Sequence, residues 1–309
     1  MRFTVTGAAG FIGSHLAERL LADGHEVIAI DSFTDYYDPA LKEENAAGFD
    51  VIRRDLATDE LSDLIGACDG VFHLAAQPGV RASWGQSFAL YTDRNLLATQ
   101  RVFEAAADAG VRVAYASSSS IYGDAEAYPT TEDTPPSPIS PYGVTKLATE
   151  QLARAYESNF GLDVVVLRYF TVYGPRQRPD MAFTRVVNAL RDGARFDVYG
   201  DGSQSRDVTY VGDAVSATVM ALERAPRGAV YNVGGGTEAS LNDVIEALES
   251  ITGARLDARF TDRAAGDVKR TAADTSRLRG EVGWRPETSL QDGLAAHWRW
   301  ASERVPAVR

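Results

Sequence analysis

Apolar residues in the first half of the chain gather into short runs, separated by stretches where they recur every three or four positions. The runs are RFTVT (2–6), EVIAI (26–30), DVIRR (50–54), GVFHLA (70–75), VRVAYAS (111–117) and DVVVLRYF (163–170). Their length and their β-branched and aromatic content fit strands of a buried sheet. Between them, FIGSHLAERLLADG, LSDLIGA, ALYTDRNLLATQRVFEAAADAG and SPYGVTKLATEQLARAYESNFG carry apolar residues at helical spacing, and Gly24, Gly110 and Gly161 stand where a left-handed cap closes a helix. Alternation of this kind predicts βαβ units and a doubly wound parallel sheet with helices on both faces.

After residue 171 the alternation loosens. An irregular GPRQRPDMAF precedes a helix over 183–192, strands near FDVYG and RDVTYV and a helix beginning at GDAVSATVMALE; VYNVGGG, LNDVIEALESITG, RLDARF and LQDGLAAHWRWASER read as mixed strands and helices. The expected organisation is a dinucleotide-binding domain over 1–171 and a smaller mixed α/β lobe over 172–309, with segments interwoven with the first. The PTTEDTPPSPISP stretch (129–141) reads as turns leading into a helix.

TGAAGFIG puts Gly7, Gly10 and Gly13, with Phe11 and Ile12 between them, directly after the first strand and at the mouth of a helix. Glycines permit the tight turn, and free N–H groups and the helix dipole stabilise a pyrophosphate, so the α/β fold is expected to be of the Rossmann type. Asp31 ends the second strand 18 residues past Gly13, where a carboxylate bonds the adenosine ribose hydroxyls. That charge repels a 2′-phosphate, which favours NAD over NADP. Asp55, followed by Leu56, suits an adenine-edge acceptor or a helix cap equally well. HLAAQ closes the fourth strand with Leu74, Ala75 and Ala76, mostly small where a cofactor needs room.

SPYGVTK sets Tyr142 and Lys146 four residues apart on one helix face. A neighbouring ammonium favours the phenolate, making such a pair a general base. A hydroxyl-rich strand end, ASSSSIYG, lies 24 residues upstream of the tyrosine.

Composition narrows the partners. The formal net charge is −12, which opposes nucleic acid and anionic membranes as partners, and no apolar run approaches a membrane span. MRFTVTGAAGF enters a strand pattern without the features of a signal peptide. The lone Cys68 and four scattered histidines offer neither an intrachain disulfide nor a metal cluster, so a reducing, cytoplasmic setting and no metal are expected.

TGAAGFIG, Asp31, HLAA, the serine-rich strand end before YG, SPYGVTK, LRYF and GDGSQSRDVTYVGDA together resemble the extended short-chain dehydrogenase/reductases, and among them the nucleotide-sugar 4-epimerases. DSFTDYYDPALK (31–42), AAQPGVRASW (75–84) and RYFTVYGPRQRPDMAF (168–183) resemble the UDP-glucuronate 4-epimerase subfamily, in which RYFTV replaces the RYFNP of UDP-galactose epimerases.

The resemblance implies a redox-neutral isomerase that interconverts UDP-glucuronate and UDP-galacturonate with tightly held NAD. Tyr142 takes the proton of the 4-hydroxyl, Lys146 lowers the tyrosine's pKa and holds the nicotinamide ribose, and Ser118 relays the proton. Ser117 lies near the nicotinamide, and Tyr169 and Asn95 join the cofactor residues, Asn95 with the alternative of satisfying buried backbone. Ser119, Ser120 and Thr171 are implied to steady the sugar carboxylate, with Arg178 completing the anion site or serving as a loop cation, and Arg81 a weaker candidate. Arg206 and Asp267 grip the nucleotide, with Arg263 and Arg270 behind them. Nucleotide-sugar dehydratases and UDP-glucuronate decarboxylases resemble chains with a carboxylate at the strand end, where this chain has Ser118-Ser119-Ser120. UDP-glucose 4-epimerase, the decarboxylase and a non-enzymatic NAD sensor are the alternatives. Relatives pair through two long helices, here 88–109 and 142–160, which implies a homodimer.

Overall fold

In the computed structural model, residues 1–262 and 268–304 are described. Seven strands form the main sheet: β1 (Arg2–Thr6), β2 (Glu26–Asp31), β3 (Val51–Arg53), β4 (Gly70–His73), β5 (Val113–Ser118), β6 (Val164–Tyr169) and β10 (Val230–Val233). Their order is β10-β6-β5-β4-β1-β2-β3, and every pairing is parallel. The order reverses between β1 and β4, so a crevice opens at the carboxyl ends of the strands there.

Both faces of the sheet are dry over its central strands, because buried residues occupy both parities there. On β6, Val165 and Leu167 join one core with Phe3, Val5, Leu16, Leu20 and Phe72, while Val164 and Val166 join the opposite core with Ile30, Val71, Phe103 and Val113. Covering helices are α1 (Phe11–Ala22) and α8 (Val211–Arg224) on the first face, and α5 (Ala98–Ala109) and α6 (Pro141–Phe160) on the second. Short helices α2 (Pro39–Asn45), α3 (Ser62–Ile65) and α4 (Phe88–Tyr91) complete this half. The stretch from α4 to α5 is continuous through a π-helical segment, Thr92–Leu97.

The smaller lobe contains β7 (Thr171–Tyr173), β8 (Phe196–Tyr199), β9 (Ser205–Tyr210), β11 (Thr237–Ser240) and β12 (Ala258–Thr261), in a three-stranded β11-β9-β7 sheet and a β12-β8 pair. Helices α7 (Ala182–Asp192), α9 (Leu241–Thr252) and α11 (Leu290–Ser302) close a third core around Phe183, Val187, Phe196, Val198, Val244, Leu248 and Leu294. Chain passes repeatedly between the lobes. α8, β10 and α10 (Ser276–Val282), all beyond residue 171, pack on or in the main sheet. No described helix is long and apolar enough to cross a membrane.

Candidate active site

A cleft of about 420 Å³ runs along the carboxyl ends of β1, β2, β4, β5 and β6. Its outer end is built by the glycine loop. Gly10 is the N-cap of α1, and a Cβ on Gly13 would lie 2.1 Å from the Gly7 carbonyl oxygen, so only glycine lets the helix start this close to the loop. Gly7, Gly10, Phe11, Ile12 and Gly13 all face the cleft. Asp31 lies beside them: it accepts N–H bonds from Ala9 (3.2 Å) and Phe33 (2.8 Å) and stands 3.6 Å from the buried Lys42 ammonium. The residues fit a dinucleotide, with donors at a helix N-terminus, a fixed carboxylate one strand away and no side chain blocking the turn.

Leu56, Leu74, Ala75 and Ala76 line the middle of the cleft, as does Asp55, whose carboxylate also accepts the Ala57 N–H at 2.9 Å. Asp55 is thus a turn-capping residue that also faces the cleft. Tyr169 contributes to the wall, but its hydroxyl points into the core, 2.6 Å from Thr218 on α8.

The inner end joins two elements. Ser118 closes β5, accepts the Ser120 N–H at 3.1 Å and caps a single 3₁₀ turn, Ser119–Ile121. Opposite it, Ser140 caps α6 by accepting the Gly143 N–H at 3.1 Å. A Cβ at position 143 would sit 2.5 Å from the Ser120 carbonyl oxygen; glycine there lets the first turn of α6 press against the serine turn. Tyr142 is thereby hydrogen-bonded to Ser118.

Burial raises the Tyr142 pKa above the ordinary tyrosine value, while the Ser118 hydrogen bond and the positive charge of Arg178 pull it down. Arg178 is thus a cation that acts on Tyr142 here. The Lys146 ammonium donates to the Ala116 carbonyl at 2.8 Å and the Tyr115 hydroxyl at 3.3 Å, and lies 5.0 Å from the centre of the Tyr115 ring. Burial lowers its pKa to about 7, against the opposing charge of Glu150. A buried ammonium costs stability: the folded state resists protonation, so wild-type stability rises as pH climbs from about 7 toward the ordinary lysine value. Lys146→Met is therefore expected to melt higher than wild type without ligands, by a wider margin at pH 6 than at pH 9. Calorimetric melting at the two pH values checks this.

Ser119, Ser120 and Thr171 stand on the wall beside Tyr142 and continue into a second cleft of about 180 Å³, where Arg206 lies with Val268 and Thr271. Arg206 donates to the Ser205 carbonyl at 2.8 Å. Among the described residues, the carboxylates on the walls of both clefts are Asp31 and Asp55, neither on the serine strand end.

Several of the expected site residues make other contacts. Asn95 does not face the cleft; it is fully buried, accepts the Gln77 N–H at 2.7 Å and donates to the Gln77 carbonyl and to Thr145, fastening the loop after β4 to α6. Ser117 lines the cleft, while its hydroxyl donates to Glu150, which makes a buried ion pair with Arg168 at 2.8 Å. Arg81 lies outside both clefts with its guanidinium 4.8 Å from the Tyr199 ring. Arg270 pairs in bidentate fashion with Glu238 at 2.8 Å. Asp267 and Arg263 lie outside the described residues.

Sequence reasoning also missed residues. Lys42, Tyr36 and Tyr37 line the cleft. Their signal was the DYYDPALK stretch, read above only as a resemblance. Tyr91 meets Tyr142 edge to face at 6.3 Å while its hydroxyl bonds the Pro78 and Gly79 carbonyls. These contacts join distant segments, and local spacing does not announce them.

The pattern of the NAD dependent epimerase/dehydratase family matches residues 3–234. The chain is 43% identical over 302 residues to an uncharacterized UDP-glucose epimerase of Bacillus subtilis, covering 95% of this chain and 96% of that one. It is 36% identical to a UDP-glucuronate 4-epimerase of Thermodesulfobacterium geofontis, covering 99% and 98%. Among solved structures, UDP-glucuronic acid 4-epimerase of Bacillus cereus, in complex with UDP-glucuronic acid and NAD, superposes with a TM-score of 0.94 at 42% identity, covering 98% of this chain and 99% of that one.

Proposed function

The chain belongs to the NAD-dependent epimerase/dehydratase family, and on that premise we propose that it is a UDP-glucuronate 4-epimerase, interconverting UDP-glucuronate and UDP-galacturonate. One observation carries the choice within the family: the strand end facing Tyr142 presents the hydroxyls of Ser118, Ser119 and Ser120 with no carboxylate among them. Oxidation at carbon 4 of a uronic acid creates a β-keto acid that readily loses carbon dioxide. Neutral donors around its carboxylate hold it still, and the absence of an acid on this strand end leaves a dehydratase or decarboxylase without its proton donor.

NAD, when bound, takes hydride from carbon 4 and returns it to the other face of the sugar. The glycine loop and Asp31 hold its adenosine diphosphate half, and Lys146 its nicotinamide ribose. Tyr142 accepts the 4-hydroxyl proton and later gives it back, with Ser118 orienting that hydroxyl. Ser119, Ser120, Thr171 and Arg178 face the carboxylate, and Arg206 steadies the diphosphate from the smaller lobe while the 4-keto sugar turns. Residues 1–171 thus serve mainly the cofactor and 172–309 mainly the nucleotide sugar, with α8 and β10 shared. Phe88, Leu90, Leu97, Val144 and Phe160 are exposed along the 88–109 stretch and α6, which supports pairing of two copies through these helices. A cytoplasmic enzyme acting on a small soluble substrate is consistent with the lone cysteine.

The test is incubation of purified protein with UDP-glucuronate, without added cofactor, followed by chromatography of the nucleotide sugars. UDP-galacturonate is the expected product. A UDP-pentose with released carbon dioxide, or turnover of UDP-glucose alone, overturns the assignment.

A further inference from the structure

Arg178 and Asp180 form a bidentate pair across one proline: Nε to Oδ1 and a terminal nitrogen to Oδ2, both at 3.0 Å. This fork is the geometry a guanidinium offers to any carboxylate. Arg178 lines the cleft and acts electrostatically on Tyr142; Asp180 sits at the rim, more exposed than its partner (38% against 20% of the side chain). A second contact fixes Asp180 from across the cleft mouth. The Tyr36 hydroxyl, from the loop after β2, donates to Oδ2 at 3.3 Å, and the Arg178 guanidinium lies 5.9 Å from the centre of the same ring.

We propose that Asp180 is a specificity-determining residue: a resident carboxylate that shares Arg178 with the sugar carboxylate and so limits how strongly the site prefers an anionic sugar. The proposal rests on the reading that Arg178 faces the sugar. With Asp180 in the fork, the arginine's charge is partly offset and two of its donors are occupied. An incoming carboxylate must either displace Asp180 from the fork or bind with a second negative charge beside it. A neutral hydroxymethyl group meets neither cost. Asp180 thus holds down the affinity for UDP-uronates while leaving neutral UDP-sugars untouched. Tyr36, by bonding the competing carboxylate, keeps it at the rim near Arg178.

The test measures binding of UDP-glucuronate and UDP-glucose by calorimetry, in a Tyr142→Phe background so that neither is consumed. Asp180→Asn keeps the shape and an acceptor oxygen but removes the charge. UDP-glucuronate should bind about tenfold more tightly, equivalent to about 1.4 kcal/mol, and UDP-glucose within about twofold of its starting value. Asp180→Glu should restore the original ratio, and Tyr36→Phe should shift it in the same direction as Asp180→Asn by a smaller factor. If Asp180 only braces the loop, Asp180→Asn weakens both ligands alike and leaves their ratio unchanged; that result, or a ratio moving toward UDP-glucose, overturns the proposal. The functional reading fails separately: an enzyme with Tyr142 intact that converts UDP-glucose but not UDP-glucuronate overturns that reading, whatever the binding ratio does.

Discussion

Tyr142→Phe is expected to lower turnover of UDP-glucuronate by about a thousandfold or more, within the range general-base removal costs, without loosening the fold. The phenylalanine ring keeps the edge contact with Tyr91, and Ser140 still caps α6. What disappears is the hydroxyl shared with Ser118. Burial raises that hydroxyl's pKa on balance while Ser118 and Arg178 pull against the rise, and a phenyl ring offers no oxygen to take the proton at all. Steady-state rates, melting temperature and NAD content, measured on the same preparation, separate the outcomes. A rate loss under tenfold assigns the proton transfer elsewhere, and a loss that follows a fall in melting temperature makes Tyr142 structural.

Arg168→Met is expected to cost about 3–5 kcal/mol of stability, the usual penalty for leaving one member of a buried ion pair alone. Both partners of the Arg168–Glu150 pair are almost fully enclosed. Arg168 also donates to the Tyr122 hydroxyl at 2.7 Å and the Glu132 carbonyl at 3.0 Å, so one deletion strands three acceptors. Glu150 in turn supplies the negative charge that supports the Lys146 ammonium, so the loss reaches the active site as well. Urea unfolding measures the loss. Replacing Glu150 together with Arg168 by apolar residues should recover much of it, since an apolar pair leaves no isolated charge. A single-variant loss below about 1 kcal/mol contradicts this view of the pair.

The main sheet was legible because β1, β2 and β4 to β6 are β-branched runs with dry faces on both sides, a pattern that solvent-facing chain does not produce. β7 was not. It follows β6 after the single residue Phe170, and YFTVY reads as one strand although the chain leaves one sheet and enters another there. β11, the polar TEAS, is recognisable only through its antiparallel register with β9. The short α2 and α10 have too few apolar positions to announce a period.

The candidate site divides along the same line. The glycine loop, Asp31, the serine turn and Tyr142 with Lys146 were readable because each is a local pattern at a strand end or on one helix face. Lys42 beside Asp31, Tyr115 beneath Lys146 and Arg168 against Glu150 depend on strand order and register, as in the alignment of Ser117 with Arg168 across β5 and β6. Asn95 shows the converse. The resemblance set it near the cofactor with satisfying buried backbone as the alternative, and its side chain is engaged by Gln77 and Thr145, so it shapes the wall from behind.

The central claim is that carbon 4 is inverted by hydride that leaves and returns within one closed site. Purified protein given UDP-glucuronate carrying deuterium at carbon 4, in ordinary water and without added cofactor, tests it directly by mass spectrometry and proton NMR of the product. The account predicts UDP-galacturonate with the deuterium still on carbon 4. Deuterium lost to solvent, or a product lacking the carboxylate, would contradict it.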